Sequence, residues 1–549
     1  MKELFIIFLL FQFQAINLSF LNKSKGQRKL QTKSNDIVIL HLNDVHCGID
    51  DTIGYDGFVL YRDEIKNQYN YVLTVDVGDH IQGGTIGAIS SGEAIIKIMN
   101  QINFNVTILG NHEFDYGVDK LLELGEEIKS KYICANFRKT KTGPVFDPYK
   151  IIEIGGKKIA FIAVLTPLTY SKTFLCEEDG TPTYDFLGDN LPTVIQTYID
   201  EVRGKGVDYV ILLTHMGMDV EEYTSNDLLK NLKGVDAVLD GHTHKVYNTK
   251  TKDFENKDIP ISQTGTKLES IGKHILKTDG TIDNENITEV PEPSDTTNAI
   301  QVTRSNMNIW VDKSMNSFLN DIWDEYRDQL NHIVGKISFT LTIRPEGRTD
   351  SASVFCRYQE CLLGNLISDA FKYIGDGEIN IITGGSIRNN LEKGNITTNN
   401  IINILPWFNS IVSKRISGQD LLDALELGVS KLPAVSGGFP QVSGITFDVD
   451  TSIDSPVILD SSGMFVKVDG KRRVSNVKVN GEDIDVNRFY NGSFDNFIAS
   501  GGDGYSMLAA LDTYNESIFS DSDAFAYYVT NILSGEIPEN IKNIKGELI

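Results

Sequence analysis

The chain has 549 residues, 41% of them hydrophobic, with 51 lysines and arginines against 75 aspartates and glutamates. That length exceeds one ordinary hydrophobic core, so two domains are expected. A net charge of −24 with no notable Lys/Arg cluster repels polyanions, which excludes nucleic-acid polymers and anionic membrane surfaces and leaves small ligands whose charge is met locally.

Residues 1–20 open with a lysine and carry an apolar run from Leu4 to Phe13. The run is short for a bilayer span and fits a secretory signal peptide, with an uncleaved anchor as the alternative. No sharp cleavage pattern is present around Ala15, Asn17 and Ser19. Sequons at Asn105, Asn286, Asn395, Asn491 and Asn515 permit glycosylation of a secreted protein. The carboxyl end, IPENIKNIKGELI, lacks the spacer and apolar tail of a lipid-anchor signal. The reading is therefore a secreted protein without a stable membrane partner. Nothing in the chain specifies its oligomeric state.

Five apolar runs follow, and each ends in residues that bind metal ions or handle phosphate. They are Ile37 to His46, Tyr71 to Asp79, Asn105 to Asp115, Tyr209 to His215 and Ala237 to His244. Val/Ile/Leu-rich runs separated by helix-length segments predict buried strands of an α/β layered sheet. Loops leaving the carboxyl ends of such strands form the ligand crevice, so the endings can converge on one spot. The first unit occupies residues 35–295 and closes at the turn-rich PEPSDTTN, Pro291 to Asn298. A helical stripe between Ile300 and Ile333 predicts one long connecting helix, assigned to 300–334. The second unit, 335–549, reads as a helix at Cys361 to Ile374, a strand-to-glycine turn at INIITGGSIR, a helix at Gly418 to Val429, and mixed strands.

The converging set is Asp44, His46, Asp79, Asn111, His112, Asp115, His215, His242 and His244. Two divalent ions about 3.5 to 4 Å apart can clamp a phosphoryl group, bind a hydroxide nucleophile and neutralise charge on both reacting oxygens. Such a pair needs a bridging carboxylate. Asp79, behind a glycine at a strand end, is the natural bridge, with Asp44, His46 and His244 at one ion and Asn111, His215 and His242 at the other. These nitrogen and oxygen donors suit Zn, Mn or Fe without selecting one. His112 and Asp115 are close enough in sequence for the carboxylate to orient the imidazole, which then stabilises phosphoryl charge or protonates the leaving oxygen. A lone polar residue after a strand is usually a cap or turn. Here five of the nine histidines stand at strand ends, which favours the metal site.

Five cysteines leave at least one thiol unpaired. Cys356 and Cys361 are the obvious pair. Closing so small a loop constrains the unfolded chain by roughly 2 kcal/mol and fixes the enclosed Arg357. Cys47, Cys134 and Cys176 remain. Cys47, next to His46, is either a stray soft ligand or a packed or bridged residue.

LNDVH, VGD, LGNHEFD, TH and DGHTH, in that order, resemble the calcineurin-like metallophosphoesterase motifs of the 5'-nucleotidase family. CRYQECLLGNLISDA, GGSIR, ILPWFNSIV and NFIASGGDGY resemble that family's carboxyl-terminal nucleotide-binding domain. The resemblance implies a four-layer αββα metallophosphoesterase sandwich with two divalent metal ions, a connecting helix, and an α+β substrate domain that rotates to deliver a nucleotide. It also implies that Arg357 and Arg388 contact the phosphate or ribose side, that Trp407 and Phe497 sandwich the base, and that Asp503 contacts the ribose. The implied reaction is hydrolysis of nucleoside monophosphates. Hydrolysis of nucleoside di- or triphosphates or nucleotide sugars, and 2',3'-cyclic phosphodiesterase with 3'-nucleotidase activity, are the alternatives on the same scaffold. An inactive secreted binding protein is a third reading. Departures from the family pattern are Trp407 where phenylalanine is usual, Phe408 where glycine is common, Thr383 where asparagine often stands, and Cys47 in place of a small or polar residue.

Overall fold

The computed structural model describes residues 32–169, 183–218, 223–304, 307–344, 354–460 and 462–539. The expected signal peptide, Cys176 and the last ten residues lie outside these. Among the described residues, no helix is long and apolar enough to cross a membrane.

The five runs do form strands: Ser34–Leu42 (β1), Tyr69–Asp76 (β2), Val106–Ile108 (β3), Tyr209–His215 (β4) and Ala237–Gly241 (β5). They divide between two six-stranded sheets. In the first, β1, β2, β3 and Tyr132–Ile133 run parallel, and antiparallel Ile271–Leu276 and Ile282–Ile287 extend the β1 edge. In the second, Asp258–Thr264, β5, β4 and Lys157–Leu165 are parallel, with an antiparallel strand at each edge.

Side-chain alternation explains the stacking. In β1, Ile37 and Ile39 enter the core between the sheets, while Val38, Leu40 and Leu42 pack beneath helices Gly54–Gln68, Glu93–Ile102 and Val118–Glu127. In β4, Ile211 and Leu213 face the first sheet, whereas Val210 and Leu212 face helices Leu191–Gly204 and Ser225–Leu229. Both faces of each central strand are buried, which is why these runs read as continuous apolar segments rather than alternating ones. The result is a helix–sheet–sheet–helix sandwich.

The connecting segment differs from the expected single helix. Ala299–Arg304 and Met307–Asp312 pair as an antiparallel hairpin, and the helix spans only Lys313–Leu330. The apolar residues change period at that point. Ile309 and Val311 are buried as alternating strand positions, whereas Met315, Leu319 and Ile322 follow at helical spacing. Asp312 sets the boundary, its carboxylate accepting from the Met315 N–H at 2.7 Å as an N-cap.

The carboxyl-terminal half centres on a five-stranded sheet ordered Pro440–Ser443, Ile379–Thr383, Phe489–Asp495, Ser410–Ser417, Thr513–Ser520. One face packs on helices Leu362–Ile374 and Asp521–Tyr527, the other on Gly418–Gly428. The Cys356–Cys361 disulfide is formed. Cys47 and Cys134 are free, buried thiols. Cys47 packs with its Sγ donating to His80 O at 3.6 Å, outside the cluster of Asp44, His46, Asp79 and His244, and burial pushes its thiol up to about 12.

Candidate active site

All five strand ends meet at one edge of the sandwich. The backbone there is unusual, since Asp44, His46, Asp79, His242 and His244 all have positive φ. Non-glycine residues hold such dihedrals only where surrounding structure over-determines them, and they cluster at functional sites. Two glycines allow the approach. A Cβ on Gly110 would fall 2.2 Å from Asp79 Oδ1, and one on Gly241 would fall 2.7 Å from His215 Nδ1.

Asp79 is the centre of the cluster. Its Oδ2 lies 3.0 Å from His215 Nε2 and 3.6 Å from His46 Nε2, and its Oδ1 accepts the His112 backbone N–H at 2.8 Å. Asp44 Oδ1 lies 3.5 Å from His244 Nε2 and 3.7 Å from His215 Nε2. His46 and His244 bring their Nε2 atoms to 2.9 Å, and His242 Nδ1 lies 2.8 Å from Asn111 Oδ1. Carbonyls orient two of the rings: His46 Nδ1 meets Gln82 O at 2.9 Å and His215 Nδ1 meets Val77 O at 2.8 Å, leaving each Nε2 aimed inward.

The donor set fits a metal. Ligand atoms of Asp44, His46, Asp79 and His244 all lie within 4.8 Å of one another. Asp79 Oδ2 and His215 Nε2 are buried and face each other, yet neither makes a hydrogen bond of acceptable geometry. Buried polar atoms left so are rare, and a cation bound between them resolves the deficit. Burial also keeps imidazoles neutral, as ligation requires: His242 is pushed down to about 3, His244 to about 4, and His46 well below its usual value. Burial pushes Asp44 up to about 7, while His215, His112 and His46 overcome the burial of Asp79 and hold it well below the usual carboxylate range. For His215, burial favours the neutral ring, but Asp79 and Asp44 outweigh it and push it up to about 10. With those carboxylates holding a cation, the His215 ring would be neutral and free to ligate through Nε2.

His112 and Asp115 form a tight pair, Nδ1 to Oδ2 at 2.6 Å. Burial disfavours the imidazolium, but Asp115 and Asp79 prevail and raise His112 to about 9.

Sequence reasoning missed the supporting residues. Glu113 is buried, and its carboxylate accepts backbone N–H groups from Gly110 at 2.5 Å, Asp79 at 2.8 Å and His80 at 2.8 Å, tying the β2 loop to the β3 loop. Asn43 donates to Asp44 Oδ2 at 2.6 Å and to Gly265 O at 2.9 Å, joining the two sheets. Asp240 accepts from Thr214 Oγ1, Tyr247 and the Gly241 N–H. His80 pairs with Asp76 at 2.8 Å beneath the bridge. Glu113 and Asn43 stand inside the motifs GNHEFD and LNDVH, but only contacts reveal what their side chains do.

From the carboxyl-terminal half, Trp407 reaches this cluster. Its ring lies 5.8 Å from that of His112, with the Arg388 guanidinium 5.3 Å from its centroid, and Nε1 donates to Ser386 O at 2.9 Å. Burial and neighbouring Arg357 lower Arg388 to about 10, a sign that cationic groups are crowded together. Arg344, also unnoticed in the sequence, donates to the Arg388 carbonyl at 3.2 Å. Asp503 acts electrostatically on Arg357, and the Phe497 ring covers Gly502. Thus Trp407 and Arg388 stand beside His112 and Asp115, with Arg357 next to Arg388, while Phe497 packs partly against the core of its own domain.

Comparison with known proteins agrees with this geometry. Residues 37–246 match the calcineurin-like phosphoesterase family, and residues 334–510 match the 5'-nucleotidase C-terminal domain. The chain is 27% identical to snake venom 5'-nucleotidase of Naja atra over 88% of this chain and 93% of that protein. It is 23% identical to the trifunctional nucleotide phosphoesterase protein YfkN of Bacillus subtilis over 93% of this chain, which spans only 35% of that longer protein. A crystal structure of the 5'-nucleotidase precursor from Thermus thermophilus has the same fold, with a TM-score of 0.71, 24% identity, and coverage of 92% of this chain and 97% of the other. The chain belongs to the 5'-nucleotidase family, as a metal-dependent phosphoester hydrolase with a metallophosphoesterase domain ahead of a 5'-nucleotidase C-terminal domain.

Proposed function

We propose that this protein is a secreted 5'-nucleotidase that hydrolyses nucleoside monophosphates to nucleoside and phosphate. The observation that carries the reading is the position of the His112–Asp115 pair, with the His112 backbone bonded to Asp79 and its ring against Trp407 beside Arg388. One structural feature thus links the metal donors, an imidazolium and the arginines that suit a phosphate.

Asp44, His46 and His244 would hold one divalent ion, Asn111, His215 and His242 a second, with Asp79 between them. Such ions, Zn, Mn or similar, supply Lewis-acid charge and lower the pKa of bound water. The chain's own residues do the rest. Arg357 and Arg388 present guanidinium forks to the phosphate or ribose side. Asp115 holds the His112 ring protonated, so its Nε2–H can meet charge that develops on the phosphoryl group or deliver a proton to the leaving ribose oxygen. Trp407 and Phe497 offer aromatic faces to the base, a sequence-tolerant form of recognition, and Asp503 a carboxylate to the ribose hydroxyls. On this reading the metal domain covers 35–295 and the substrate domain 335–549.

A second reading keeps the site and changes the substrate to a nucleoside di- or triphosphate, a nucleotide sugar, or a 2',3'-cyclic or 3'-nucleotide. The similarity to a trifunctional nucleotide phosphoesterase favours keeping it. Chelated protein resupplied with Mn, Zn or Co and tested on AMP, 3'-AMP, ATP, UDP-glucose and 2',3'-cyclic AMP separates the two. AMP consumed fastest, with adenosine and phosphate as products, supports the proposal, and faster consumption of any of the other four defeats it.

A further inference from the structure

The turn that carries Trp407 contains a second, opposed aromatic anchor. Helix Thr398–Ile404 leads into Leu405, Pro406, Trp407, Phe408 and Asn409, after which strand Ser410–Ser417 begins. Phe408 has φ +58°. A bulky L-residue is strained in that region, where glycine is not. The turn is tied to helix Asp521–Tyr527, where the N–H of buried Asp521 donates to Asn409 O at 2.7 Å.

The two adjacent aromatic side chains have different neighbours. Trp407 goes to His112, whereas Phe408 packs into an apolar seam formed by Ala88 and Ile89 of the metal domain, Trp323, Tyr326 and Leu330 of the connecting helix, and Ile402. Next to the seam, Thr85 Oγ1 donates to Asn403 Oδ1 at 3.0 Å, a polar contact between the same two halves. Phe408 therefore touches both halves of the molecule, while its neighbour touches the imidazole assigned to the chemistry.

We propose that Phe408 is a positioning residue for hydrolysis: seated in the seam between the halves, it fixes the turn that lays the Trp407 indole against His112. The proposal rests on the reading that His112 acts on the phosphoester. Phe408 itself touches no reacting atom.

The test replaces Phe408 with glycine, which adopts the same φ without strain and removes only the anchor, and with leucine, which keeps an apolar side chain in the seam. Each protein is labelled with 5-fluorotryptophan, and the Trp407 resonance is assigned by its loss in Trp407→Phe. In Phe408→Gly, the Trp407 resonance moves toward the solvent-exposed value and kcat falls by about 10-fold or more, in line with the cost of small misplacements at a reacting site, with metal content unchanged. Phe408→Leu restores both toward the parent. Ile89→Ala, which enlarges the seat from the opposite side without touching the turn, moves the same resonance and decides the matter if the glycine variant misfolds. A Phe408→Gly protein with parental kcat, or with reduced kcat and an unmoved Trp407 resonance, overturns the proposal. If the parent fails to hydrolyse AMP, the nucleotidase reading falls, and the fluorine shifts, with kcat measured on the best substrate of the panel, still decide the role of Phe408.

Discussion

His112 Nδ1 lies 2.6 Å from Asp115 Oδ2, and the same histidine's backbone N–H is bonded to Asp79. The imidazole is thereby fixed beside the Asp44, His46, Asp79 and His244 cluster, and the proposed ligand set does not include it. His112→Ala should therefore leave bound metal near the parental level while lowering turnover by roughly 10² to 10⁴, the range for losing acid–base assistance. Metal analysis by plasma mass spectrometry beside kcat checks this, and parental turnover in the variant removes His112 from the mechanism.

The Cys356–Cys361 bridge encloses Arg357 within a six-residue loop. Opening it, by reduction or by replacing both cysteines with serine, should cost about 2 kcal/mol in unfolding free energy from loop entropy. Because the bridge also restrains a guanidinium assigned to the nucleotide, KM should rise more than kcat falls. Denaturant unfolding and steady-state kinetics on one preparation measure both effects.

Between the two sheets, Ser262 Oγ sits 2.9 Å from His41 Nε2 and 2.7 Å from His274 Nε2. Burial, then mutual repulsion, lowers His41 well below its usual value, and burial lowers His274 to about 3. Both folded-state values lie below those of the unfolded chain, so the unfolded chain takes up protons first. The stability this pair contributes is full above about pH 6.5 and is lost as pH drops toward 3, roughly 2 kcal/mol of it at His274 between pH 7 and 5. His274→Gln should make that fall shallower by one histidine's share. An unchanged slope in urea titrations across this range contradicts the assignment.

The strands and the convergence of their polar endings are legible in the sequence because the same short runs encode both. A core sandwiched on two faces demands unbroken Val/Ile/Leu, and the polar residue that ends each run stands out against it. The division of the runs between two sheets was less legible, since burial on both faces looks alike in either sheet. The hairpin at 299–312 reads as helix in the sequence because Val311 stands four residues before Met315, as Met315 does before Leu319. Glu113 and Asn43 were in view but silent, because their work is hydrogen bonding to backbone brought from distant loops. The resemblance assigns Trp407 to the base, whereas its contact with His112 depends on how the two halves meet, which no local pattern encodes.

Asp495 caps the helix Asn496–Ala499, Oδ1 accepting from the Ile498 N–H at 3.0 Å, while its Oδ2 is buried without a hydrogen bond. Burial raises it to about 6, and Asp521 is raised well above the ordinary range by burial and then by Asp495. A carboxyl with a raised folded-state value costs stability as pH climbs from about 4 through 6. Asp495→Asn keeps the cap and removes the charge, so it should stabilise the protein at pH 8, on the order of 2 kcal/mol, and change little at pH 4. Equal effects at both pH values contradict this account.

The most direct measurement is metal content and AMP hydrolysis on the same samples: parent, chelated parent, reconstituted parent and Asp79→Asn. The account predicts two ions per active chain, loss of phosphate release on chelation, recovery with Mn or Zn, and a failure of Asp79→Asn to regain either full metal or activity. Hydrolysis at the parental rate by metal-stripped protein, or by Asp79→Asn, would contradict it.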